Sequence, residues 1–347
     1  MKAARLYLAV MLASPLAASS ASVVPLPVEG NLPSFGKASL WLNSPPLEPA
    51  DLRGKVVLVD FWTYSCINWL RHSPYVRAWA ERYKDRGLVV IGVHSPEFAF
   101  ETSLDSVRSA VRSMGITYPV VIDNDHAIWR AFDNEAWPAL YFVDAQGRIR
   151  HHHYGEGAYD QAEEILRELL GEAGRGSALP ALVSVDARGV EAPADWRSLR
   201  SPETYVGHAR AENFASPGGA KRDKRSAYAA PERLGLNHWA LEGDWTMGRQ
   251  ATVLNAAHGR IVFRFHARDV HLVMGPSASG APVRFRVLLD GLPPGPAHGL
   301  DVDAEGYGVA TQHRLYQLVR QPGPIADRTF VIEFSDGGVE TFSFTFG

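Results

Sequence analysis

Val59-Asp60-Phe61-Trp62-Thr63-Tyr64-Ser65-Cys66-Ile67-Asn68-Trp69-Leu70-Arg71-His72-Ser73-Pro74 contains the only cysteine of this 347-residue chain. The apolar run from Lys55 to Trp62 has the character of a buried strand. It stops at Thr63-Tyr64-Ser65, and a pattern of helical period begins directly after the cysteine. Cys66 is therefore predicted at the start of a helix that follows a buried strand. The unpaired N–H groups and the dipole of a helix N-terminus favour thiolate over thiol, so the pattern predicts a lowered pKa and a candidate nucleophile.

Outward from this stretch, strands and helices alternate. Leu40 to Ser44 followed by Pro45-Pro46 reads as a short edge strand and a turn, and Ile67 to Asp85 as a helix with Pro74 as a kink. Leu88 to Val93 is a second apolar strand and Glu101 to Met114 a crossover helix. Val120 to Ile122, Asp125 to Phe132, Ala139 to Val143, Ile149 to His153 and Asp160 to Leu170 complete a strand, helix, strand, strand, helix succession. Such alternation predicts a partly parallel sheet covered on both faces. After Gly171 the pattern changes, and 173–195 reads as a linker. Beyond it, Ile261-Phe263-Phe265, Val270-Leu272-Met274, Val283-Phe285-Val287, Phe330-Ile332-Phe334 and Phe342-Phe344-Phe346 alternate with period two. Turns such as Asp290-Gly291 and Asp336-Gly337 fit an antiparallel β-sandwich.

A chain of this length is long enough for two domains, each with its own core. With 46% hydrophobic residues, 21% charged residues and a net charge of -3, it has the composition of a globular protein and no basic surplus for nucleic acid. Lys2 and Arg5 precede an apolar run from Leu6 to Leu16, and Ala17 to Ala21 supplies small residues, so residues 1–21 read as a cleaved signal peptide. The expected location is periplasmic or secreted, with no membrane span in the mature protein. One cysteine cannot form an internal disulfide in such a compartment.

These features together resemble the TlpA/DipZ-like group of thioredoxin-fold proteins. The likeness rests on Gly54-Lys55-Val56-Val57-Leu58-Val59-Asp60-Phe61-Trp62, Cys66 four positions after that tryptophan, Pro74 eight positions after the cysteine, and Trp137-Pro138 before the strand Ala139 to Val143. It implies a thioredoxin-like domain over 22–172, with its core at about 40–170. Residues 196–347 resemble the carbohydrate-binding-module-like domain appended to such thioredoxins, through Ala211-Glu212-Asn213-Phe214 and Asn237-His238-Trp239. The expected fold class is an α/β thioredoxin fold followed by an all-β, jelly-roll-like sandwich. A proline at a strand start is ordinarily trans; the resemblance implies a cis Trp137-Pro138 bond that presents the Trp137 backbone beside Cys66.

The departure from the group is Cys66-Ile67-Asn68-Trp69, where the group carries a second cysteine in place of Trp69. Residues i and i+3 share a helix face, so Trp69 is expected beside Cys66, and a dithiol cycle loses its resolving thiol. Asp60 resembles the buried acid beneath the redox pair; here it either still assists Cys66 or is a structural remnant. The resemblance makes Trp62, Trp69, Trp137 and Pro138 the substrate-binding residues, beside Cys66 and Asp60 as the catalytic ones. Asn68, His94 and Glu97 are possible assisting groups, the last two because they follow a strand at its C-terminal end, or they are an ordinary polar loop.

No cofactor is expected. His151-His152-His153 lies on a strand, where neighbours point to opposite faces, so no metal is assigned to it. Asp301-x-Asp303-x-Glu305-Gly306 reads as an acidic hairpin turn, with a calcium loop as the alternative. Trp239 and Trp245 are core residues or sugar-stacking platforms. The expected partner is a cysteine-containing protein or a small thiol or disulfide, with a glycan open for the C-terminal domain. Three functions remain: monothiol exchange resolved by an external thiol, a redox-inactive peptide- or glycan-binding protein, and a one-cysteine peroxidase. Against the last, Val59 stands where the peroxidase pattern needs a proline.

Overall fold

Residues 25–36, 40–176, 179–277 and 280–347 are described by a computed structural model; the predicted signal peptide lies outside them. The first part of the chain forms β1 (Gly30–Asn31), β2 (Trp41–Leu42), β3 (Val56–Trp62), α1 (Ile67–Tyr83), β4 (Leu88–His94), α2 (Leu104–Ser113), β5 (Val120–Ile122), α3 (Ala127–Ala131), β6 (Ala139–Val143), β7 (Arg148–Tyr154) and α4 (Tyr159–Glu172). The second part forms β8 (Thr204–Tyr205), β9 (Arg225–Tyr228), β10 (Trp239–Met247), β11 (Thr252–Leu254), β12 (Gly259–Phe265), β13 (Asp269–Gly275), β14 (Val283–Leu289), β15 (Tyr307–Ala310), β16 (Arg314–Arg320), β17 (Arg328–Phe334) and β18 (Glu340–Phe346).

The first sheet has the order β1-β7-β6-β3-β4-β5-β2. Strands β3, β4 and β5 run parallel, while β6, β7 and the edge strand β2 pair antiparallel. This is the thioredoxin fold. All seven residues of β3 are buried, because helices cover both faces of its centre. Val57, Val59 and Phe61 pack towards α3, whereas Val56, Leu58 and Trp62 pack towards α1, α2 and α4. Strand alternation puts Asp60 on the second face, underneath α1.

Helix α1 runs unbroken through Pro74. Proline cannot donate to the carbonyl four residues back, and the Ser73 hydroxyl donates to that Leu70 oxygen instead, at 3.1 Å. The predicted end at Asp85 is corrected: the α-helix closes at Tyr83, and a 3₁₀ turn covers Lys84–Arg86.

The second part is all-β, and its strands join through β10. Trp239 to Glu242 pair with β12 and lie in one sheet, while Gly243 to Met247 pair with β9 and β11 in the other. The strand changes sheets at Gly243, where φ is 104° and an added Cβ would come within 3.0 Å of the Gly259 Cα. Facing side chains fill the space between the sheets, with the Phe263 and Phe344 rings 5.2 Å apart. Strands β13 and β18 are buried on both faces, unlike β12 and β14, which alternate. Their outer residues Val273 and Phe342, with Leu315 of β16, belong to the same core as α1 and the loop after β4. Phe342 lies 5.1 Å from Phe98 and 4.7 Å from Phe100. Side chains of this size contribute about 1.5–3 kcal/mol each when buried, so this contact holds the two parts together.

Candidate functional site

Cys66 is the N-cap of α1, with extended backbone angles of -77° and 116°, and its carbonyl accepts the Leu70 N–H at 3.0 Å. The residue is partly exposed. Its thiol points at the carbonyl oxygen of Trp137, 3.9 Å away, and the Trp137-Pro138 bond is cis, as the resemblance implied. Trp137 is held by its indole N–H, which donates to the Ser95 carbonyl at 3.0 Å, and by its ring against Trp129 at 4.2 Å. The helix start, the loop after β4 and the loop before β6 thus converge on one sulfur.

The expected lowering of the thiol pKa is corrected. Burial pushes the Cys66 thiol well up, the Glu97 charge adds to this, and Glu203 adds again. The backbone N–H groups of Trp69 and Asn68 act in the predicted direction and are outweighed. Cys66 is a thiol at neutral pH. This use of its main-chain N–H is the contribution of Asn68; its side chain is partly exposed.

Trp69 does not form part of a binding surface. It is fully buried, stacks on Trp62 at 4.5 Å, and donates its indole N–H to Asp60 Oδ2 at 3.0 Å. Trp62 is equally enclosed. Neither ring can touch a substrate, which corrects the substrate-binding expectation for both. The apolar Trp69 indole is buried against Trp62, with its one N–H satisfied by the acid beneath. Asp60 is fully buried, and desolvation raises it to about 7 against the opposing effects of Trp69 and Tyr118. Its Oδ1 lies 3.7 Å from His72 Nε2. Burial holds that imidazole neutral, with its pKa lowered to about 3, so the contact is not an ion pair. Among the described residues, Asp60 Oδ1, both His72 nitrogens and the Trp62 indole N–H have no hydrogen-bond partner.

His94 is also enclosed, lying parallel to Tyr64 at 5.8 Å and edge-on to Trp62 at 4.9 Å. Desolvation lowers its pKa to about 3, which leaves a weakly basic packing group in place of the expected base. Glu97 contributes a charge that raises the Cys66 thiol. Two residues of the second domain hold Glu97: Tyr205 donates its hydroxyl at 2.6 Å, and Arg210 its Nη1 at 2.9 Å. The Arg210 guanidinium lies 3.5 Å over the Tyr205 ring.

Sequence reasoning missed Glu101, which organises the loop. Its Oε1 accepts the Ser65 hydroxyl at 2.5 Å, and its Oε2 accepts the N–H groups of Glu97 at 2.7 Å and Phe98 at 2.9 Å. Burial raises Glu101 to about 7. It also missed His72, Tyr118, Glu203, Tyr205 and Arg210, none of which stands in a local motif.

The other candidates are structural. Trp239 and Trp245 are fully buried and donate to the Glu212 and Glu242 carbonyls at 2.8 and 2.9 Å, so they form core and not sugar platforms. Asp301 accepts from Arg314 at 2.6 Å and from the Gln317 N–H at 2.7 Å, and Asp303 accepts the Tyr307 N–H at 2.8 Å. These bonds brace an acidic hairpin. His152 Nδ1 pairs with Glu29 at 2.8 Å. Among the described residues, no group of three or more His, Cys, Asp or Glu is placed to hold a metal ion, and no helix is long and apolar enough to cross a membrane.

Comparison with known proteins fits this division. Residues 41–152 match the AhpC/TSA family and residues 201–347 match the family described as thioredoxin like C-terminal domain. Protein DipZ of Mycobacterium tuberculosis is 37% identical over 321 residues, covering 92% of this chain and 43% of its own length. The chain thus spans less than half of that curated relative. The thiol-disulfide oxidoreductase YkuV of Bacillus subtilis is 29% identical over 141 residues, covering 41% of this chain and 95% of its own length. A solution structure of a thioredoxin-like protein in the oxidized form is 30% identical, covers 41% of this chain and 96% of that one, and superposes with a TM-score of 0.38.

Proposed function

We propose that this thioredoxin-like chain takes part in thiol–disulfide exchange through Cys66 alone. The carrying observation is a partly exposed cysteine at a helix N-cap, facing the Trp137 carbonyl across a cis-proline loop, with a buried tryptophan three residues on. A named thiol-disulfide oxidoreductase among its relatives supports the same chemistry.

Cys66 loses its proton, and the sulfur attacks a partner disulfide. The new bond joins Cys66 to one partner sulfur; the partner's S–S bond breaks, and the leaving thiolate takes up a proton. An external thiol then attacks the mixed disulfide and frees Cys66. The Trp137 carbonyl is placed to receive the main chain of a peptide partner. Asp60 does not serve as the base, because Trp69 lies over it. The partner is a cysteine-containing protein or small thiol. The basic, apolar and small-residue succession of residues 2–21 supports export.

A redox-silent peptide-binding role is the second reading, favoured by the raised thiol. That same raised thiol opposes a peroxidase, which needs a thiolate at rest. The test is incubation of the full chain with a neutral disulfide, hydroxyethyl disulfide, over a pH series, with adducts read by intact mass. One cysteine makes every adduct a Cys66 adduct. Exchange predicts an adduct whose rate keeps rising through the alkaline range and which a small thiol reverses. No adduct at alkaline pH refutes exchange and leaves the binding role.

A further inference from the structure

We infer that Trp129, Trp137 and His126 form a fixed aromatic surface beside Cys66, which selects partner segments carrying an aromatic side chain near their cysteine. The inference rests on the exchange reading above and names the class of partner. Its starting point is the atom that faces the sulfur. The Cys66 thiol lies 3.9 Å from the Trp137 carbonyl, so the ring of the same residue borders any chain that pairs there. That ring packs against Trp129 at 4.2 Å, tilted by 40°, and the His126 ring stands edge-on to both, 5.7 Å from Trp129 and 6.3 Å from Trp137. All three residues are partly exposed, as Cys66 is.

The surface is in place before a partner arrives. Ser95, buried directly after β4, donates its hydroxyl to Asp123 Oδ2 at 2.8 Å and accepts the Trp137 indole N–H on its carbonyl at 3.0 Å. Asp123, buried directly after β5, also accepts the Trp129 main-chain N–H at 2.9 Å. One buried pair thus fixes both tryptophans. Phe61 backs Trp129 edge-on at 5.8 Å, and His126, with a left-handed φ of 56°, is tied through Nε2 to the Pro96 carbonyl at 3.0 Å. Side chains already ordered lose little entropy on binding, so their apolar area goes into affinity. In an extended segment, side chains two positions apart share a face at a spacing of about 7 Å. A segment paired with the Trp137 main chain, its cysteine at Cys66, is placed to lay such a neighbour on the indoles. Ring against ring is the contact that this arrangement of faces and edges fits. A cation over an indole face is the competing contact, and the experiment separates the two.

The probes are peptides of the form acetyl-X-Ala-Cys-Ala-X-amide, the cysteine held as a mixed disulfide with 2-mercaptoethanol and X being Phe, Ala, Lys or Glu. The Cys66 sulfur bonds to one probe sulfur, the probe's S–S bond breaks, and the departing thiolate takes a proton from water. Total adduct is timed by intact mass on the full chain at pH 9. Each rate is divided by its rate with the same chain unfolded in urea, which removes the intrinsic reactivity of the probe. Phe should exceed Ala about tenfold, with Lys and Glu within about twofold of Ala. Trp129→Leu should bring the Phe-to-Ala ratio to about two, and His126→Asn, which suits a left-handed backbone, should lower it about twofold. The ratio cancels any change in the thiol itself. Equal normalised rates for Phe and Ala, a preference for Lys over Phe, or a Phe preference that both variants retain overturns the inference and spares the exchange reading. Failure of all four probes to react overturns both.

Discussion

Replacing the buried acid by its amide, Asp60→Asn, should stabilise the protein increasingly as pH rises from about 4 to about 7. Asp60 is raised from 3.8 to about 7 in the fold. Between those values the native state holds a proton that the unfolded chain has released, so stability falls as pH rises. About three pH units at ~1.4 kcal/mol each give a penalty of about 4 kcal/mol, complete above the folded pKa. That is a large part of a net stability of about 5–15 kcal/mol. Asparagine is neutral throughout, and its amide oxygen can keep the Trp69 indole bond now measured at 3.0 Å. Its NH2 can face His72 Nε2, which lies 3.7 Å from Asp60 Oδ1. The assay is urea unfolding of both proteins at several pH values from 5 to 8, followed by tryptophan fluorescence. Glu101 carries the same sign of linkage but is common to both proteins, so it cancels in the difference. The variant's advantage should grow by about 3 kcal/mol across that range. A difference that does not change with pH would refute the assignment of a buried, neutral Asp60.

Trp69→Cys should close a disulfide with Cys66 on oxidation, detectable as loss of free thiol. It should also cost about 3–5 kcal/mol by urea unfolding, because it empties a fully buried indole site and unpairs Asp60 Oδ2. Tyr205→Phe keeps the ring beneath Arg210 but removes the 2.6 Å bond to Glu97, and should lower stability by about 1.5–3 kcal/mol in the same assay.

Much of the fold is legible in the residues around Cys66. Strand β3, the turn and the start of α1 follow from an apolar run that switches from continuous burial to helical period, and these signals are local. The strands of the second domain that alternate cleanly, such as β12 and β14, are legible for the same reason. The less regular β13 and β18 depart from alternation because their outer faces pack against the first domain. The chemistry of the cysteine was misread from the same stretch. A helix N-terminus lowers a thiol pKa, and that effect is present here through the Asn68 and Trp69 N–H groups. Desolvation and two carboxylates exceed it, and one of them lies 137 positions along the chain from Cys66.

By itself, then, the sequence determined a thioredoxin fold followed by an all-β domain, a single cysteine at a helix start, and a tryptophan where a second thiol would stand. Each follows from residue type and short-range spacing. Only the tertiary structure decided that Trp69 turns inward to bond Asp60, that His94 is buried, and that Tyr205 and Arg210 hold Glu97. Burial and charge act through space, and the groups that set the state of Cys66 come from the loop after β4, the first turn of α1 and the residue before β8. Chain folding brings them together at distances that no spacing along the sequence encodes.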